Sequence, residues 1–145
     1  MKPEEILKNY QLRVTNARVK VLEIFQKNPF ALSQPFLEKN VETTDRVTLY
    51  RTLNTFEKVG LIHKVLDDTY TLKYALCSKV CSDSNILHHK HEHIHFQCSK
   101  CNQTTCLNVQ IPLIQLPEDY IAHEVHFSMK GICKNCLNSL SNPNS

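Results

Sequence analysis

Between positions 3 and 60 the apolar residues recur at helical spacing. Leu12, Val19, Leu22 and Phe25 mark one stripe, Thr15 stands where it can cap the segment from Asn16, and Lys27-Asn28-Pro29 ends it. Ser33 predicts the cap of a short helix through Leu37, where Pro35 is tolerated because first-turn amides have no intrahelical partner. After a break at NVETTD, the run RVTLYRTLNTFEKVG places Leu49, Leu53, Phe56 and Val59 on one stripe, with Thr44 or Asp45 as N-cap and Gly60 as the stop.

Beyond Gly60 the period changes. LIHKVL and TYTLKYAL, separated by Asp67-Asp68, read as a β-hairpin, and helices that end in such a wing form the winged helix-turn-helix pattern. Polar, irregular residues from Cys77 onward mark a hinge. HEHIHFQC then alternates, with Ile94, Phe96 and Cys98 on one face and His91, His93 and His95 on the other. TTCLNV and YIAHEVHFSMKG are further strand candidates, and Pro112 and Pro117 bracket an irregular link. The pattern predicts an α/β protein: a winged-helix DNA-binding domain over 1–76, a hinge over 77–86, a metal-binding α/β domain over 87–138 and a disordered tail over 139–145.

Composition changes this picture little. An apolar content of 41% with two glycines suits a globular chain, and no apolar run approaches the ~20 residues that cross a bilayer. With a charged amino terminus, MKPEEILKNY, this leads us to expect a cytoplasmic protein with no membrane partner. There the seven cysteines stay reduced, so Cys-x-x-Cys pairs read as metal ligands rather than a disulfide framework. The net charge of +3 decides nothing alone, but nine Lys and Arg residues from Arg13 to Lys64 give the first half a face able to meet phosphates.

RVTLYRTLN is the helix expected in the major groove. With Leu49 and Leu53 inward, Thr48, Arg51, Thr52 and Thr55 are expected outward, within reach of base edges and phosphates, and Tyr50 adds an aromatic face. LRVTNARVKVLEIF, VTLYRTLNTFEKVGLI and the later Cys-x-x-Cys pairs resemble, in order and spacing, the ferric uptake regulator family of metal-dependent bacterial repressors, from about Leu12 to Cys136. The resemblance implies a homodimer whose winged-helix domains bind operator DNA when a regulatory metal is present, joined through the carboxy-terminal domain over 87–138 as an α/β dimerisation domain. It also implies DNA contact by Tyr50 and Arg51, and by Arg13 and Arg18.

Cys98-x-x-Cys101 and Cys133-x-x-Cys136 supply the four thiolates of a closed tetrahedral zinc site. Closure leaves no position for water, so a structural role is expected and hydrolytic chemistry is not. The family resemblance agrees, since many members carry such a zinc. His93 and His95, two apart on a strand, could share a second ion, with His91 extending the row; His88 and His89 read as polar surface.

In the resembled family the sensing site uses two histidines at the positions of His93 and His95, a histidine from the DNA-binding domain and two carboxylates. Here those last three positions are Ala31, Ala75 and Cys106. Sulfur in place of oxygen softens the set and favours zinc over a ferrous or peroxide-sensing centre, so that an iron or peroxide-responsive regulator stays as the alternative. Cys77 or Cys81 in the hinge could complete it, as a hinge cysteine does in zinc-sensing relatives, and Asp67 or Asp68 on the wing is a further candidate. Ligands from both wing and hinge would fix the angle between domains, and one angle places two recognition helices ~34 Å apart on a DNA face. His63, His123 and His126 read as structural or surface.

We therefore expect a non-enzymatic, metal-responsive repressor that senses zinc, controls metal uptake and takes no small-molecule substrate. Two readings compete from other classes. A metalloenzyme with an open zinc position at His93, His95 and Cys106 lacks a nearby general base, since Glu92 points to the opposite face. A zinc-storage protein would bind no DNA.

Overall fold

Three side-chain caps set the helices of the first half in a computed structural model of the chain. The structure describes residues 1–42, 44–65, 67–77, 94–123 and 125–141. Thr15 accepts the Arg18 amide and starts α2 (Asn16–Lys27), after α1 (Pro3–Asn9). Ser33 accepts the Phe36 amide and starts α3 (Gln34–Asn40), which runs three residues past the expected end. Asp45, rather than Thr44, accepts the Thr48 amide and starts α4 (Arg46–Lys58). Each oxygen satisfies an amide that has no intrahelical partner. Gly60 follows α4 with φ of 71°, a left-handed conformation that costs glycine little.

The hairpin forms as β2 (Ile62–Val65) and β3 (Lys73–Leu76), antiparallel with Ile62 opposite Leu76. A two-residue strand, β1 (Leu32–Ser33), joins the other edge of β3 and gives the order β1-β3-β2. Helices and sheet close on one apolar core that contains Leu7, Val21, Leu22, Phe25, Leu37, Leu49, Leu53, Phe56, Ile62 and Tyr74. This is the winged-helix arrangement, and it lies in the first of two compact units, Met1–Lys90 and His91–Ser145.

In the second unit, β4 (Ile94–Cys98) is central. It pairs antiparallel with β5 (Thr104–Leu107) and parallel with β6 (Ser128–Gly131), in the order β5-β4-β6. A parallel pair needs a long crossover. Residues 108–123 and 125–127 of the crossover carry no regular structure, so among the described residues the strand expected over YIAHEVHFSMKG shrinks to its last part. A final helix, α5 (Lys134–Ser141), was not expected. It overlaps the first three residues of the predicted tail because Leu137 and Leu140 fall at helical spacing and the Ser139 hydroxyl bonds the Asn135 carbonyl at 2.9 Å. No helix among the described residues is long and apolar enough to cross a membrane.

Candidate metal centre and candidate nucleic-acid interface

The four predicted zinc-ligand cysteines converge. Cys98 is the last residue of β4 and fully buried, and the tight turn after it returns Asn102 N–H to the Cys98 carbonyl at 2.9 Å and carries Cys101 around. Asn102 takes a φ of 58°, which asparagine tolerates better than most residues. The second pair arrives from β6, where Gly131 sits opposite Cys98 and its carbonyl accepts the Ser99 N–H at 2.8 Å and the Ser99 hydroxyl at 3.0 Å. Cys133 follows, and Cys136 lies in the first turn of α5. All four sulfurs lie within 4.8 Å of one another, with Cys101 Sγ 3.9 Å from Cys133 Sγ. A tetrahedron with Zn–S bonds of ~2.3 Å puts its sulfurs about 3.8 Å apart, so the cluster could hold zinc.

The electrostatics fit the same use. The amides of Cys101 and then Cys133 draw the Cys98 thiol down to about 6, the Cys133 N–H standing 3.3 Å from its sulfur. Cys136 is pushed up to about 12, first by its contact with Cys133 and then by burial. Four thiolates cannot coexist so close unless a cation offsets their repulsion, and a bound dication supplies it.

Of the regulatory candidates, His91, His93 and Cys81 lie outside the described residues, as do His88 and His89. His95 is buried on β4 directly opposite Cys106 on β5, so imidazole and thiol are cross-strand neighbours. In the first unit Cys77 approaches His63, with Sγ 3.2 Å from Nδ1. His63 stands opposite Ala75, and Cys77 is two residues further on the same face. The sequence reading set His63 aside; the register of the hairpin makes it a second nitrogen donor beside a thiol. Asp67 is engaged within the wing, where its carboxylate meets the Lys73 ammonium and accepts from the amide and hydroxyl of Thr69. Those contacts tie its carboxylate to the turn.

On α4, Tyr50 is 51% exposed and Arg51 is exposed, as expected for a helix that meets DNA. Thr52 is a correction. It is only 5% exposed, because the buried stripe of α4 is Leu49, Thr52, Leu53 and Phe56, at spacing i, i+3, i+4, i+7. Thr48 is only partly exposed, and its hydroxyl donates to the Asp45 carboxylate at 2.6 Å. At the start of the helix Arg46 forks onto Glu38 of α3, at 3.0 and 2.9 Å, and holds that carboxyl below its usual range. Arg18 donates from Nη1 to the Arg13 carbonyl at 2.8 Å and so orders the loop that exposes Arg13.

A model of the ferric uptake regulator family matches residues 9–133. The chain belongs to the ferric uptake regulator family. This is a family of transcriptional regulators, not of enzymes. The ferric uptake regulation protein of Neisseria gonorrhoeae is 29% identical over 143 residues and covers 90% of each chain. Among solved structures, the ferric uptake regulator of Vibrio cholerae superposes with a TM-score of 0.57 at 21% identity, over 90% of this chain and 98% of its own. A zinc uptake regulator solved with zinc and DNA gives 0.59 at 19% identity, over 95% and 92%. At such identities these structures show the fold of the family, and the two units described here reproduce it.

Proposed function

We propose that this chain is a zinc-responsive repressor that binds operator DNA as a homodimer, works in the cytoplasm and controls genes for metal uptake. The four-thiolate cluster of Cys98, Cys101, Cys133 and Cys136 takes a structural zinc. The observation that carries the choice of regulatory metal is the pairing of His95 with Cys106, a nitrogen donor beside a sulfur donor, which suits zinc better than ferrous iron. We assign the remaining regulatory ligands to the donors in and next to the hinge, His91, His93, Cys77 and Cys81, with His63 added because it meets Cys77.

The homodimer is supported by the second unit, where Leu113, Ile114, Leu116, Ile121, Val125 and Met129 are all about half exposed or more, a surface that monomeric proteins rarely leave open. DNA binding is supported by the winged-helix fold, the exposed Tyr50 and Arg51, and the arginines at 13 and 18. Zinc acts by preferring the arrangement of the protein that fits DNA, so zinc and operator strengthen each other's binding. One observation favours the ferrous reading instead: relatives at 28–29% identity over most of the chain are named ferric uptake regulation proteins.

Titration separates the two. Metal-depleted protein receives zinc or ferrous iron while the anisotropy of a labelled duplex, selected from random DNA by the zinc-loaded protein, reports binding. Zinc should raise affinity at least tenfold and iron less. His95→Ala should keep one zinc per chain in the cysteine cluster and lose the zinc response. Activation by iron alone would overturn the zinc assignment, and an unchanged zinc response in His95→Ala would remove that residue from the sensing site.

A further inference from the structure

The three threonines of α4 look from the sequence like a set of base-reading hydroxyls, but all three are occupied within the fold. The Thr48 hydroxyl donates to Asp45, the Thr55 hydroxyl donates to the Arg51 carbonyl at 2.8 Å, and Thr52 is buried in the core-facing stripe. Arg46 is taken up by its fork onto Glu38. What the helix presents outward is a different face: Val47, Tyr50 and Arg51, at spacing i, i+3, i+4, with Val47 58% exposed.

An exposed valine is a poor choice for a solvated helix, because its branched side chain is stiff there and offers water nothing. Single exposed apolar residues are ordinary, but this one shares its face with a half-exposed tyrosine and an arginine at the amino-terminal end of the helix, the end that enters the groove in helix-turn-helix proteins. The charge of Glu38 is offset by the Arg46 guanidinium, and Asp45 is turned onto the amide and hydroxyl of Thr48 as the cap of the helix. In the major groove the one apolar feature of a base edge is the C5-methyl of thymine.

We propose that Val47 is a specificity-determining residue that selects a thymine in the operator by packing on its C5-methyl, beside Tyr50 and Arg51. The inference rests on the DNA-binding reading above. It assigns the selectivity of this helix to an apolar contact rather than to the hydroxyls of Thr48, Thr52 and Thr55.

The test replaces each thymine of a zinc-selected duplex, one at a time, by deoxyuridine, which removes only the methyl and keeps the pairing. Wild type should lose about fourfold in affinity at one thymine per half-site, the free energy of about one buried methyl group. Val47→Ala should bind more weakly overall and show no deoxyuridine penalty at that position, while keeping penalties elsewhere. The variant folds as wild type because the side chain is outside the core. Identical deoxyuridine profiles for wild type and Val47→Ala would overturn the proposal and leave DNA binding standing. Arg51→Ala serves as the control for the helix itself, and its affinity should fall for every duplex. If wild type enriches no duplex over competitor DNA with either metal, the functional reading fails, and this assignment with it.

Discussion

The two units solve the same problem of stability with different means. The first buries thirteen apolar residues in a single cluster and needs no ligand to do so. The described part of the second buries only Ile94 and Cys98 among its apolar residues, while eleven large ones, from Val109 to Leu140, stay exposed. A unit this size with so thin a core cannot repay the entropy of ordering its chain by apolar burial alone. A metal in the cysteine cluster and a second copy of the chain, as proposed above, would supply the stability that this core does not. The first unit therefore has a core sufficient to fold by itself, whereas the second is expected to depend for its folding on what it binds.

Removing the metal should break this comparison most widely. Structural zinc in small domains contributes apparent binding energies of about 10–16 kcal/mol, all of it folding energy. Cys133→Ser, or exhaustive chelation, should abolish order in the second unit and dimerisation while the first unit keeps its helices. Amide hydrogen exchange resolved along the chain checks this: protection should vanish from 94–98 and 128–131 and persist in 46–58. Protection in β4 of a zinc-free variant equal to wild type would show that the second unit holds itself together without metal.

The reciprocal change is smaller. Leu53 is fully buried between the stripe neighbours of α4, so Leu53→Ala leaves a cavity and should cost about 2–5 kcal/mol. That loss falls on the first unit. Its thermal transition should drop while zinc content, measured by a chromogenic chelator after denaturation, stays at the wild-type value. A parallel loss of zinc would mean that the two units fold as one and that the contrast drawn here is too sharp.

These contrasts were legible in the sequence to different degrees. Caps such as Thr15, Ser33 and Asp45 act locally, so the three helices they start can be placed from a few adjacent residues, while α1, without a side-chain cap, carries no such mark. The zinc ligands are equally open, because a Cys-x-x-Cys pair carries its geometry in its spacing. What the sequence hides is register. Nothing local says that Ile62 pairs with Leu76, and that pairing alone brings His63 to Cys77. The two-residue β1 has no period to detect; it exists because β3 offers an edge. Thr52 was misplaced because a stripe drawn from Leu49 and Leu53 leaves the residue between them undecided, and only packing against the core settles which way a threonine turns.

Gly131 tests the second unit at its narrowest point. A Cβ built there would stand 3.1 and 3.2 Å from two ring carbons of Phe96, closer than carbon atoms pack without something giving way. The glycine lies opposite Cys98, its carbonyl takes the N–H and hydroxyl of Ser99, and Cys133 is two residues on. Any displacement of β6 is therefore passed to the sulfurs. The ring is only partly buried, so it can turn aside by a few tenths of an ångström, and Gly131→Ala should cost about 1 kcal/mol, the low end for overpacking. It should also release zinc to a competing chelator several times faster than wild type, since a cluster built to sub-ångström spacing tolerates little shift of its backbone. Leu53→Ala, though more destabilising, should leave that release rate alone. If Gly131→Ala matches wild type in both stability and zinc release, the ring yields freely and β6 is not what sets the cysteine spacing.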